Sequence, residues 1–289
     1  MAGRQRTPVR VPLLHRDHRR VRTDRRRAVP ADQQAVIHLL QATVDDVLDA
    51  GDRLLGRVDG AGAEQLVDVA DRDAADRRRA DADRRRTLAG RLALRLLACA
   101  VGGRPPSAAA SLTVDRTCDR CGAPHGRPRL AGASASTSTS GDLVLVAVAD
   151  PAARVGVDVE RLPEALWDGF DEYALHPAER AGEGASSPGD ADIARRLQIW
   201  TDKEAVLKSV GVGLRTAPAS FRVAATAVAG GGPSADGSGW RPVAECDDPA
   251  LRTVWTATVD VGRAAAGSVA AAGPSPVRSW TIGDVSGQG

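Results

Sequence analysis

The chain has 289 residues, 43% apolar and 26% charged, and its net charge of +2 excludes a bulk nucleic-acid binder, which needs a strongly basic balance. Four cysteines in this length make no disulfide framework, and no uncharged apolar run reaches the ~18 residues of a membrane helix. Aromatic residues are 3% of the chain, and its abundant Ala, Arg, Asp and Gly read as coding bias rather than function.

Between Arg4 and Arg27 lie ten arginines against Asp17 and Asp24, with no apolar stretch of about 7–15 residues such as a signal peptide carries. A cytoplasmic location is expected. Residues 1–50 read as an Arg-rich disordered tail or a translation start placed too early, apart from a short helix around Gln33–Leu48. Deleting Met1–Ala50 is then expected to leave activity intact.

Arginines and aspartates alternate from Asp71 to Arg86 and lead into an amphipathic helix with Leu88, Leu92 and Leu96 at four-residue spacing. Arg91 and Arg95 share a neighbouring face, where a solvated basic surface is expected. Gly102-Gly103 ends the helix. Cys118-x-x-Cys121 followed by His125 offers three potential zinc ligands, but Cys99 and Cys246 are distant in sequence, so a reduced, metal-free knuckle is expected. Ala133 to Ser140 is small and hydroxyl-rich, by composition a flexible loop, and leads into a strand at Leu143–Ala149.

After a turn at Ala149-Asp150-Pro151, Val155 to Glu160 alternates as a strand, and its period of two sends Asp158 and Glu160 to one face. Trp167, Phe170 and Tyr173 lie in a helical segment ending near His176-Pro177. Glu179 alone reads as an ordinary surface helix residue, and Gly182–Gly189 as a loop. Ile193, Leu197, Trp200 and Leu207 then mark the apolar stripe of a helix, and Glu204 falls on that stripe. Gly211 stops this helix, Gly230–Gly239 reads as a mobile loop, and runs at Leu251–Val261, Gly267–Ala272 and Val277–Ile282 are expected to complete a second sheet.

An ionised carboxylate on an apolar face costs several kcal/mol unless a cation or donor compensates it, and the paired acids Asp158 and Glu160 have the same need. One divalent cation satisfies all three. Carboxylates, waters and phosphate oxygens suit magnesium, and Lys203 and Lys208 add positive charge beside it. Such a set points to phosphoryl or phosphodiester chemistry.

Gly156-Val157-Asp158-Val159-Glu160 followed by Trp200-Thr201-x-Lys203-Glu204-Ala205-x-x-Lys208 resembles the paired signature of the Sfp-type 4′-phosphopantetheinyl transferases. The resemblance runs from about Leu66 to about Gly273. It implies an α+β fold built as a pseudo-dimer of two similar α/β subdomains, residues 51–150 and 151–289, with the active site in the cleft between them and a monomeric chain. It implies transfer of 4′-phosphopantetheine from coenzyme A to a serine of an apo acyl- or peptidyl-carrier protein, releasing 3′,5′-ADP, with magnesium on Asp158, Glu160 and Glu204. Membrane and nucleic acid are not expected partners.

The same resemblance assigns Lys208 to the charge on the leaving phosphate and Lys203 to the phosphates or a metal ligand. Glu204, Glu179 or a bound water accepts the serine proton. A basic stretch and a Thr at a helix start contact the nucleotide in these enzymes; Arg72, Arg77, Arg86 and Thr87 stand at the similar positions, and Arg86-Thr87 fits best. Gly126-Arg127-Pro128 stands where the family has Gly-Lys-Pro, so Arg127 is expected on a phosphate. Ser138-Thr139-Ser140-Gly141 stands where the family has Ser-His-Ser-Gly. Losing that His, a charge-assisted contact to the 3′-phosphate, weakens coenzyme A binding by about 1.5–3 kcal/mol. A catalytically weakened relative that only binds coenzyme A or a carrier protein is therefore the alternative. A third reading, an Arg-rich nucleic-acid binder with a zinc knuckle, is opposed by the near-neutral total charge. Fatty-acid, polyketide, nonribosomal-peptide and siderophore carriers all fit.

Overall fold

The structure is a computed structural model and describes residues 35–57, 61–180, 190–224 and 239–287. The expected loop at 182–189 and most of that at 230–239 fall outside these residues, as does the Arg-rich stretch up to residue 34. The described residues belong to one unit, Gln34–Gly289.

Strand β1 (Ile37–Thr43) runs straight into helix α1 (Val44–Leu54), because Thr43 and Asp46 form a capping box that satisfies both exposed N–H groups at the junction. Short helices α2 (Gly62–Gln65) and α3 (Val69–Asp76) lead to the long helix α4 (Asp81–Val101). Then come β2 (Arg129–Leu130), β3 (Ala133–Ser140), β4 (Leu143–Ala149) and β5 (Gly156–Arg161). Helices α5 (Phe170–Ala174) and α6 (Pro177–Arg180) precede the second long helix, α7 (Asp190–Val210). Strands β6 (Arg222–Val223), β7 (Arg241–Glu245), β8 (Trp255–Thr258), β9 (Ala265–Ala271) and β10 (Val277–Trp280) and helix α8 (Ile282–Ser286) complete the chain.

Two five-stranded sheets result, in the orders β10-β1-β4-β3-β2 and β5-β9-β8-β7-β6. Neighbours are antiparallel except β1 and β10, which are parallel. Strand alternation sorts the core into layers. In β4, Val144, Val146 and Val148 pack with Leu88, Leu92 and Leu96 of α4, whereas Leu145, Ala147 and Ala149 pack with Val157, Val159, Val269 and Ala271 of the second sheet. On the far side of the second sheet, Ala205, Val206 and Leu207 of α7 meet Phe221, Val243 and Ala270. The α+β class is as the sequence leads one to expect.

Four expectations are corrected. Residues 35–50 are not a tail: Ile37 and Leu40 are fully buried in β1, a strand paired on both sides, and Val47 and Ala50 are fully buried in α1. A deletion through Ala50 would remove this interior strand and the cap that follows it, so it is no longer expected to be silent. The run Val277–Ile282 does not finish the second sheet, because β10 adds to the first beside β1 and Val285 of α8 packs on the α4 side. Arg95 is not solvated: it is 0% exposed, with its Nε 2.8 Å from Asp71 Oδ2 and one Nη 3.0 Å from the Ala109 carbonyl. Finally, Ala133–Ser140 is a strand, for reasons that belong to the site.

Candidate active site

Strand β5 is the edge of its sheet, and an edge strand leaves N–H groups needing partners. Serines at every second position of β3 supply them. Ser134 Oγ accepts from Val155 N at 2.9 Å, Ser136 Oγ from Val157 N at 3.0 Å and Ser140 Oγ from Arg161 N at 3.1 Å. Composition suggested a loop because small hydroxylated residues favour turns; here their regular alternation lets short side chains stand in for a missing strand-to-strand ladder. Each such bond adds about 1 kcal/mol.

The same serines orient the acids. Ser138 Oγ donates to Asp158 Oδ1 at 2.8 Å, and Ser140 Oγ donates to Glu160 Oε2 at 2.6 Å. Helix α7 lies against β5 because Gly156 has no side chain: a Cβ there would come 2.1 Å from the Ala205 carbonyl oxygen and 2.5 Å from Ser209 N. That closeness delivers Glu204 and Lys208, one helical turn apart on the same face, to the acidic strand. Lys208 Nζ reaches Asp158 Oδ1 at 2.5 Å and Ser138 Oγ at 3.2 Å.

The electrostatics are unbalanced. Burial first, then the charges of Asp158 and Glu160, push the Glu204 carboxyl up to about 7, with Lys208 opposing. Burial also raises Glu160, against the Ser140 hydrogen bond. Asp158 Oδ2 and Glu204 Oε1 are both buried and have no hydrogen-bond partner. Two orphaned carboxylate oxygens beside a third acid are oxygen donors of the kind a hard divalent cation such as magnesium takes, although among the described residues the oxygens of the three acids do not all lie within 4.8 Å of one another.

Two depressions flank these residues. One, of about 470 Å³, is lined by Lys208, Arg127, Arg129, Arg116 and Gly211 among others. The other, of about 240 Å³, is lined by Arg78, Arg86, Thr87, Ser138 and Thr139, and the two share Arg91, Arg116 and Thr137. Arg86, Thr87, Arg127, Ser138 and Thr139 are thus brought to one basic surface beside the acids. Ser138 chiefly holds Asp158, and Arg72 donates to the Glu64 and Val67 carbonyls instead.

Lys203 and Glu179 are corrected. Lys203 is fully buried, its ammonium 2.6 Å from Glu179 Oε2, 2.8 Å from the Ala174 carbonyl and 3.0 Å from the Pro218 carbonyl. Three acceptors saturate three N–H donors, so none remains for a phosphate. Glu179 also accepts from His176 N at 2.8 Å, and its charge is committed to Lys203. Neither lines the two depressions. Thr201 and Asp202 likewise face inward: Ser268 Oγ donates to Asp202 Oδ1 at 2.7 Å, and Arg241 pairs with Asp202 Oδ2 at 2.7 Å. Most of the helix motif anchors α7, while Lys208 faces the acidic strand and Glu204 lies near Asp158 and Glu160.

The sequence reading missed Ser140 and Arg116. Period-two serines were the available signal for Ser140. Arg116 had none, since it lies in irregular chain before Cys118. Its side chain is 9% exposed and 3.5 Å from Asp71 Oδ1, yet Nε and one Nη are buried without hydrogen-bond partners. Burial and the neighbouring Arg91 push it down to about 9. An under-satisfied guanidinium in the wall shared by two grooves is a ready anion contact.

Residues 154–256 match the family model of the 4′-phosphopantetheinyl transferase superfamily. The match spans the acids, Glu204 and Lys208. No curated protein matches the chain.

Proposed function

We propose that the protein transfers 4′-phosphopantetheine from coenzyme A to a serine of an apo acyl- or peptidyl-carrier protein and releases 3′,5′-ADP. The observation that carries this reading is the meeting of Asp158, Glu160, Glu204 and Lys208 beside an arginine-lined groove, within the segment that matches the superfamily. Magnesium held by Asp158, Glu160 and Glu204 would neutralise charge on the pyrophosphate. Arg116 and Arg127 line the groove and bind phosphate oxygens there. Thr87 and Arg86 hold the nucleotide end with Thr139. In transfer, the serine Oγ–P bond forms as the P–O bond to 3′,5′-ADP breaks. Lys208 stabilises charge on the departing phosphate, and Glu204 takes the serine proton. The two halves, each a five-stranded sheet backed by a long helix, α4 or α7, support a pseudo-dimer with the site at their junction.

Thr139 favours a second reading, binding without turnover. Its methyl faces Gly90, whose added Cβ would lie 3.0 Å away, and it supplies no charge where the family has His. Intact-mass spectrometry of apo carrier proteins incubated with the protein, coenzyme A and magnesium decides between them. A gain of one phosphopantetheine arm, abolished by EDTA, is expected. Unchanged masses for every acceptor, with coenzyme A still bound, would instead establish the binding protein.

A further inference from the structure

Among the described residues, one group of three metal-ligating atoms lies within 4.8 Å of one another: the sulfurs of Cys118 and Cys121 and a ring nitrogen of His125. Phosphopantetheine transfer makes no use of it. The geometry is that of a tight knuckle. Cys118 N donates to the Ala123 carbonyl and Gly122 N to the Cys118 carbonyl, both at 2.9 Å. The turn closes through Gly122 at φ +73°, a conformation that a side chain would strain. Cys121 Sγ is 3.0 Å from His125 Nε2, and His125 N is tied to the Ala123 carbonyl at 2.9 Å.

We infer that Cys118, Cys121 and His125 bind one zinc ion. Two thiolates and an imidazole are the donors zinc prefers and magnesium refuses, so this site and the carboxylate site select different metals. Zinc–sulfur bonds of about 2.3 Å and zinc–nitrogen bonds of about 2.0–2.1 Å at a tetrahedral angle separate S and N by about 3.6 Å. The Cys121–His125 contact therefore opens slightly on binding, which two exposed side chains on a loop allow. Among the described residues no fourth side chain completes the group, and the nearest acid in sequence, Asp119, is paired with Arg129 at 2.5 Å. Water fills the fourth position.

The ion would sit between two groove residues. Arg116 lies two residues before Cys118 and Arg127 two after His125, and Gly126 N donates to the Arg116 carbonyl at 2.7 Å. Cys118 and His125 line the same groove as Arg127 and Lys208. Zinc thus cross-links the wall that presents both arginines, and its role is to hold that wall.

The test uses the full chain, expressed with zinc, purified under reductant and exchanged against a weak chelator, with metal counted by atomic emission. One zinc per chain is expected, lost in Cys118→Ser and His125→Ala but kept in Cys99→Ser and Cys246→Ser. Because a ligand variant can fail to fold, cobalt is also titrated into the wild-type protein. Visible bands of a tetrahedral site with sulfur-to-cobalt charge transfer are expected. Cobalt bands of an octahedral, sulfur-free site, a zinc-free wild-type protein, or a Cys118–Cys121 disulfide that persists with zinc would each overturn the inference. These readouts do not depend on transferase activity, so the site stands or falls apart from the proposed function.

Discussion

Lys208 on α7 places its ammonium 2.5 Å from Asp158 Oδ1 on β5, so one ion pair joins the helix that carries Glu204 to the strand that carries the other acids. The Asp158 side chain is 3% exposed and the Lys208 side chain 32%. Removing the lysine leaves a buried carboxylate with, among the described residues, only the Ser138 hydroxyl as partner.

Lys208→Met is expected to abolish turnover and to lower stability by about 1–3 kcal/mol, less than a fully buried pair because the lysine is partly screened. Magnesium should then raise the melting temperature of the variant more than that of the wild-type protein, since the cation supplies the charge Asp158 has lost. Thermal melts with and without magnesium check this. Equal shifts in both proteins would place the metal elsewhere.

Glu204 carries a pH signature. Its carboxyl is raised from 4.5 to about 7, so the folded protein binds that proton more tightly than the unfolded chain does. The ionised form therefore costs stability above pH 7 in metal-free protein, and the cost is relieved as pH falls toward 4.5. In EDTA at pH 8, Glu204→Gln is expected to be more stable than wild type by about 1–2 kcal/mol after allowance for solvent screening. The difference should shrink toward zero near pH 4.5. Urea unfolding of both proteins across this range reads it directly. The same variant should be inactive in transfer.

The Lys203–Glu179 pair predicts the opposite pattern. Breaking it with Lys203→Met leaves a buried, uncompensated carboxylate and should cost about 3–5 kcal/mol. The double variant Lys203→Met with Glu179→Leu should recover much of that loss. Whatever folded protein remains should keep its KM for coenzyme A, because neither side chain lines the grooves. A raised KM with unchanged stability would return Lys203 to the phosphates.

Arg116→Met should weaken coenzyme A binding about 10–100-fold, the loss of a charge-assisted contact, while kcat at saturation changes little. Its effect should diminish when a donor lacking the 3′-phosphate replaces coenzyme A, if the guanidinium meets that group. Calorimetry with both donors separates this from a structural loss through Asp71, which would lower the melting temperature without distinguishing them.

Sequence alone determined a good deal. The period of two in Val157-Asp158-Val159-Glu160 placed both acids on one face, a local periodicity that survives folding. The strand at Leu143–Ala149 and the stops at Gly102 and Gly211 were legible for the same reason. The apolar stripe expected through Trp200, Glu204 and Leu207 does not survive, since Trp200 and Leu207 pack in separate clusters and Glu204 is only half-buried.

What stayed hidden depended on contacts between distant segments. Lys203 and Glu204 are adjacent in sequence, yet one is saturated by Glu179 and two carbonyls while the other keeps an orphaned oxygen, and no local pattern tells two charged neighbours on a helix apart. The serine tract reads as loop until β5 lies beside it, when its hydroxyls gain N–H partners 21 residues away. Val277–Trp280 shows itself as a strand, but only the packing of α8 against α4 and the free edge of β1 assign it to the first sheet. Local chemistry fixes what each segment is; burial and partner choice, settled only when the segments meet, fix what each side chain does.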